Sequence, residues 1–191
     1  MRYSDTHKEE TRRKVVRAAA TAVRAKGPDG VGVAEIMAQA GLTHGGFYAH
    51  FPNKEALVVA ALEEAFGQSA RRFARMTDGL SHVDALTAFV DSYVSSEHRA
   101  HPERGCPIAT LSSDLPRQGR AVRDAYEGGV RRLIARLASW LPEDRAALAP
   151  SLLAEMAGAV SLSRAISDDD AAAQLLADAR LSLKTRMGIA P

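Results

Sequence analysis

The sequence predicts an all-α protein of about nine helices. Apolar residues recur at helical spacing along nearly the whole chain, and no stretch of useful length alternates as a strand does. Alanine, leucine and arginine are abundant, while aromatics make up 5% of the 191 residues, a balance that favours helix over sheet. Capping and breaking residues punctuate the chain at helix-length intervals.

Each element follows from those signals. Thr6 with Glu9 forms a capping-box pattern, so the first helix is placed from about Thr6. Val15, Val16, Ala19, Ala22 and Val23 form its apolar stripe, and KGPDGVG at 26–32 stops it. A short second helix covers about 33–40 and ends at Gly41. Thr43 is placed as the cap of a third, which ends near His50 before Pro52. Asn53 caps a fourth from Lys54 to about Met76, with Leu57, Ala61, Leu62, Ala65, Phe66 and Phe73 inward. TDGLSH at 77–82 reads as a break. Val83, Leu86, Phe89, Val90, Tyr93 and Val94 mark a fifth helix, and HRAHPERGCP at 98–107 reads as irregular. A short helix is expected from Cys106 to about Ser113. Val122, Tyr126, Val130, Leu133, Ile134, Leu137 and Leu141 trace the next. Two more occupy about 145–166 and 169–187, the last beginning in SDDD, where its dipole favours acids.

Charge is unevenly placed. Residues 1–54 hold nine Lys/Arg and five Asp/Glu, net +4; the rest hold 25 − 9 = 16 basic and 23 − 5 = 18 acidic residues, net −2. A basic front on a faintly acidic body points to a polyanion partner at the front. The start, MRYSDTHKEETRRK, is polar and unlike a secretory leader. No apolar run is expected to reach the ~18 residues of a membrane span. One cysteine excludes an intrachain disulfide. The expectation is a cytoplasmic protein away from the membrane.

Helices two and three, each about eight residues and joined by Gly41, Leu42 and Thr43, have helix-turn-helix lengths. Ile36, Ala40 and Leu42 suit the inner angle. Phe47 and Phe51, four apart, share one face and suit the core. Thr43, His44, Gly46, Tyr48 and His50 are left pointing elsewhere. Gly45 and Gly46 admit close approach of another surface, at roughly 0.5–1 kcal/mol each in helix propensity. Hydroxyls, imidazoles and Lys54 at a helix N-terminus suit phosphate oxygens. Helix three is therefore expected in the major groove of double-stranded DNA.

The stretch VAEIMAQAGLTHGGFYAHFPNKEAL resembles the DNA-binding signature of the TetR family of transcriptional regulators. Its I-x-x-x-A-G turn, F-Y-x-H-F segment and N-K-E-x-L cap occur in register, and the likeness covers about residues 8–60. The resemblance implies an all-helical homodimer. Its helix-turn-helix DNA-binding domain would be residues 1–53, and its ligand-binding and dimerisation domain residues 54–191. It implies base or groove contacts from Thr43, His44 and Gly46, and phosphate contacts from Tyr48, His50 and Lys54. It also implies an operator, and a small-molecule inducer that releases it. Gly32 stands where relatives usually carry a Ser or Thr cap, which removes one hydroxyl. Met37 replaces a usually small residue, and His44 stands where relatives vary.

In the rear part, Leu148, Leu152, Met156 and Val160 line one face of the penultimate helix, and Leu175, Leu176, Ala179, Leu183 and Met187 one face of the last. The resemblance makes this pair the dimer interface, so Leu152, Met156, Val160, Leu176 and Leu183 are expected there; the alternative is intrachain core. Phe89, Tyr93, Tyr126 and Trp140, with Met76 and Leu111, are candidates to line an apolar ligand cavity. Few charges interrupt these stripes, which favours an uncharged or lipophilic inducer. Cys106, before Pro107 at a helix N-terminus and near Arg104, is a candidate redox thiolate; the alternative is a small buried hydrophobe. No HExxH, G-x-S-x-G elbow or phosphate loop occurs, so no catalytic residue, metal or cofactor is expected. The competing reading is an interaction protein whose helix-turn-helix contacts protein. A steep fall of affinity with salt would separate the two.

Overall fold

The computed structural model describes residues 2–189, with side chains from residue 6; the expected domain limits at 1 and 191 lie outside that range. Among the described residues every regular element is helical: nine α-helices and four 3₁₀ segments. They are α1 (Arg2–Lys26), α2 (Val33–Gln39), α3 (Lys54–Thr77), α4 (His82–Tyr93), α5 (Ser96–Ala100), α6 (Pro107–Leu111), α7 (Arg120–Trp140), α8 (Ala149–Ala165) and α9 (Asp169–Met187). The 3₁₀ segments are His44–Ala49, Pro102–Arg104, Leu115–Arg117 and Glu143–Leu148.

Two apolar cores organise these elements. The front core joins Val15, Ala19 and Val23 of α1 to Ile36 and Met37 of α2, to Phe47 and Phe51, and to Leu57, Ala61 and Leu62 of α3. The rear core begins at Phe66 on the same helix and gathers α4 and α6 to α9 around Phe89, Leu137, Leu152 and Met156. The predicted division at 53/54 therefore falls at the start of α3, whereas the cores divide within it, between Ala65 and Phe66. One rigid helix of ~36 Å, at 1.5 Å per residue, thus serves both parts.

Several local expectations change. The first helix already runs from Arg2, so Thr6 lies inside it instead of capping it. The stretch 98–107 is not irregular: Ser95 caps α5 by accepting from His98 N at 3.1 Å, and Pro102–Arg104 forms a 3₁₀ turn. Val83 is 56% exposed, because α4 buries its Leu86, Phe89, Val90 and Tyr93 side. Asn53 caps α3 as expected, accepting from Ala56 N at 2.8 Å. Asp168 caps α9 through Asp170 N and Ala171 N, and Gly188 closes it at φ +75°.

One stretch is longer and more apolar than expected. By length and composition the 23 residues Glu143–Ala165 could cross a membrane, with mean hydropathy 1.3. Here Leu152, Leu153, Met156 and Val160 lie within the rear core.

Candidate nucleic-acid interface and ligand cavity

The front turn is built by a glycine. Gly41 adopts φ +75°, which a side chain resists, and it lets α2 end in a Schellman motif. Leu42 N donates to Met37 O at 2.9 Å and Gly41 N to Ala38 O at 3.0 Å. Gly32 occupies the N-cap of α2 in extended conformation without a side-chain hydrogen bond. The next element is a six-residue 3₁₀ turn rather than an α-helix. Gly45 and Gly46 weaken α-propensity, and a short element gains little from cooperativity. Phe47 and Phe51 hold it: both are 2% exposed and stack at 5.8 Å, and the Arg12 guanidinium lies 5.0 Å from the Phe51 ring centre.

The anticipated contact residues divide. Thr43, His44 and Tyr48 are exposed. Tyr48, at 71%, is the most exposed large apolar-bodied side chain among the described residues, with its ring edge-on to Phe47 at 5.2 Å. Thr43 sits at the N-cap but its hydroxyl does not cap; the first bond is backbone, Gly46 N to Thr43 O at 3.1 Å. Gly46 is half-buried, since Met37 Cε would lie 3.6 Å from an added Cβ; the larger residue at 37 fills the angle beneath it. His50 is half-buried, and its Nδ1 is buried with no hydrogen-bond partner. Lys54 is half-buried and its Nζ donates to Asp29 O at 3.3 Å, tying α3 to the loop before α2.

Behind the front, α3 and α7 enclose a cavity of about 480 Å³. Phe66, Ser69, Phe73, Cys106, Gly129 and Trp140 line it, joined by the exposed Arg132 and Arg136. The helices approach closely because Gly129 faces Phe66: an added Cβ would lie 2.3 Å from that ring. Ser69 Oγ is buried without a partner. Of the four residues expected to line a cavity, Trp140 does. Tyr126 instead packs edge-on against Phe66 at 5.7 Å, bonds Ser112 at 2.8 Å and borders a separate cleft. Phe89 and Tyr93 are fully buried behind the wall; Phe89 meets Phe73 at 4.7 Å and Trp140 at 5.6 Å. Phe66, Ser69, Phe73 and Gly129 were missed as wall residues. Their signal was the 66, 69, 73 spacing on one face of α3, which core packing produces equally well.

Cys106 does cap α6 by position, but it is fully buried. Burial pushes its thiol pKa up, against the smaller opposing effects of Tyr93, backbone groups and Arg72. Arg104 does not activate it: that guanidinium lies 3.6 Å from Glu97 and 3.3 Å from Glu103. Of the two readings left open, the structure favours the buried one: Cys106 is a neutral thiol in a cavity wall. Tyr93 Oη is near enough to couple to the thiol, but it is buried without a partner in hydrogen-bond geometry. Cys106 N–H donates to His98 Nε2 at 2.9 Å, so that nitrogen is unprotonated, and His98 Nδ1–H faces Tyr93 O at 2.6 Å. The buried His98 is neutral, its pKa lowered to about 4, chiefly by burial.

The five residues expected at a dimer interface are core. Leu152, Met156, Val160 and Leu183 are 0% exposed and Leu176 1%. They pack α8 and α9 against each other and the body, leaving none of them for a partner. The outward side of this pair instead carries Ala154, Gly158 and Leu162 on α8 and Leu181 on α9. Leu162 is 61% and Leu181 53% exposed, and nothing lies within 4 Å of a Cβ added to Gly158. Among the described residues no group of three or more His, Cys, Asp or Glu is placed to hold a metal ion.

An exposed turn held by a buried Phe pair, on a helical body with a side cavity, has the layout of a helix-turn-helix unit joined to a larger helical part. A sequence model described as "Bacterial regulatory proteins, tetR family" matches residues 15–61. The match covers the front of the chain, and there the chain is similar to that family. It is 28% identical over 123 residues to the HTH-type transcriptional repressor NemR of Escherichia coli K12, a match spanning 63% of this chain and 61% of that protein. A crystal structure of E. coli NemR in reduced form superposes with TM-score 0.79 at 22% identity, covering 92% of this chain and 96% of the other, which is a likeness of fold. A TetR regulator from Chloroflexus aurantiacus J-10-FL superposes with TM-score 0.76 at 25% identity and covers 96% of each chain.

Proposed function

We propose that this protein is a homodimeric, cytoplasmic repressor that leaves its operator when a small, largely apolar molecule fills the cavity between α3 and α7. The carrying observation is that α3 belongs to both parts. Its first turn is tied to the front by Lys54 and its Phe66 and Phe73 form the cavity wall. A ligand that separates α3 from α7 moves the front, and in a dimer changes the spacing of the two reading turns. Coupling of ~1–3 kcal/mol changes DNA affinity some 5–150-fold. In this reading Thr43, His44 and Gly46 face base edges, while Tyr48, His50 and Lys54 face phosphates. The dimer forms through Ala154, Gly158, Leu162 and Leu181. Residues 1–53 act as the DNA-binding unit and 54–191 as the ligand-binding and dimerising unit. The model matched at residues 15–61 describes regulatory proteins, which supports a regulator as the reading here.

The test is binding to labelled upstream intergenic DNA across a salt series. Competitor-resistant binding with a log–log slope of several phosphates supports the reading. Binding that ignores salt favours protein recognition by the same turn. A second reading, release by thiol chemistry, is favoured by Cys106 lying in the cavity wall and by the relative solved in its reduced form. It predicts that an electrophile small enough to enter the cavity labels Cys106 and weakens DNA binding, and that Cys106→Ser abolishes the response. A thiol that stays unlabelled in the folded protein removes this reading.

A further inference from the structure

Where front and body join, three guanidiniums converge and none of them is bonded to a carboxylate. Arg24 of α1 is 4% exposed. It donates only to neutral acceptors: Ala20 O at 3.0 Å, Gly105 O at 3.2 Å and Gln68 Oε1 at 2.6 Å. Arg72 of α3 donates to Arg104 O at 2.9 Å, and its Nε is buried with no partner. Arg75, three residues on, is exposed and makes no hydrogen bond or ion pair among the described residues. All three line one cleft of about 540 Å³ beside His98 and Arg104.

The nearby acids are committed elsewhere. Glu97, on the cleft's border, and Glu103 meet His101 and Arg104, at 3.3–3.6 Å. Glu64 meets Arg71 and Gln68, each at 3.0 Å. Burial lowers the Arg24 pKa to about 10, the charge of Arg72 is the next cause, and Glu103 and Glu64 offset these only in part. His98, beside the cleft, is neutral and offers no negative charge.

Buried charges are normally matched. Water would satisfy the free Arg72 Nε but leave the charge unbalanced. A guanidinium has five N–H donors, so Arg24 keeps two in reserve and Arg72 four. Planar guanidiniums suit tetrahedral oxyanions, which accept several such bonds at once.

We propose that this cleft binds a small free oxyanion of the phosphate or sulfate type, held by Arg24, Arg72 and Arg75. The bound anion bridges α1 to α3 and fixes the front on the body. The site is distinct from the α3–α7 cavity and does not depend on the repressor reading.

The test is thermal unfolding of the full chain at constant ionic strength, with chloride replaced stepwise by inorganic phosphate and, separately, by sulfate. The expected result is a saturable rise of Tm for the wild type. In Arg75→Gln the half-saturating concentration rises at least about tenfold, a loss of ~1.4 kcal/mol in binding. Arg75 is exposed and unpartnered among the described residues, so its variant folds with an unchanged Tm in chloride. Arg72→Gln gives the same loss of response. A wild-type Tm indifferent to both anions overturns the proposal. So does a saturable rise that survives unchanged in both variants, since the anion then binds elsewhere. A rise with phosphate alone identifies phosphate as the ligand, and an equal rise with both supports a general oxyanion site.

Discussion

His98 makes stability fall with acid in a way that can be worked from its surroundings. The ring is 5% exposed, T-shaped against Tyr93 at 4.8 Å, and accepts the Cys106 N–H. Protonation would remove that acceptor and place a cation beside Arg164 and Arg72, whose charges also lower its pKa. Burial is the largest cause, and the bond to the Tyr93 carbonyl opposes it. The folded value of about 4 lies below the ordinary 6.5, so the unfolded chain takes up the proton first. The stabilisation is therefore complete above pH ~6.5, falls as pH drops through the unfolded value, and is gone below the folded one. Each tenfold difference in proton affinity between the two states is worth about 1.36 kcal/mol, so the loss between about pH 7.5 and 5 is about 2 kcal/mol. Urea unfolding at several pH values measures it. His98→Gln should be less stable at neutral pH yet show a drop smaller by about that amount over the same interval. An identical drop in the variant would refute the assignment.

Three further outcomes follow from particular contacts. Tyr48→Phe should leave Tm unchanged and weaken operator binding about fivefold, the worth of one lost hydrogen bond of ~1 kcal/mol; fluorescence anisotropy on a labelled duplex reads it. Gly158→Leu has room within the chain and gains ~0.8 kcal/mol in helix propensity, so Tm of the subunit should not fall. The same change should weaken self-association at least about tenfold by sedimentation equilibrium, and an unaltered dimer would move the interface elsewhere. Gly129→Ala drives a Cβ into the Phe66 ring and should cost about 1–3 kcal/mol in urea unfolding; a neutral result would mean that α3 and α7 are free to separate.

Much of this molecule is local chemistry and was therefore legible without its fold. Gly41 announces a left-handed turn, Asn53 a cap, and Phe47 with Phe51 a buried pair, because each depends on neighbours within a few residues. The F-Y-x-H-F segment and its flanking caps likewise carried the family resemblance. The α5 turn escaped because its cap, Ser95, lies just before a stretch rich in Pro, Gly and His, and those residues hid it.

What the chain alone could not decide is which surface covers which stripe. Periodicity reveals that α8 has an apolar face but not whether a sister helix or a second subunit lies on it; in the structure the body takes Leu152, Met156 and Val160, and the small outward residues remain. The same holds for the cavity: Phe66, Phe73 and Phe89 are one residue type, yet packing puts the first two in the wall and Phe89 behind it. For Cys106 the sequence left an activated thiolate and a small buried hydrophobe both open, and burial favours the neutral thiol. Desolvation, long-range packing and the pairing of charges are sums over distant parts of the chain. The sequence therefore determined most of the helices, several of their caps and the exposed turn, while only the tertiary structure decided the α5 turn, the cavity wall, the free helix face and the grouping of arginines at the joint.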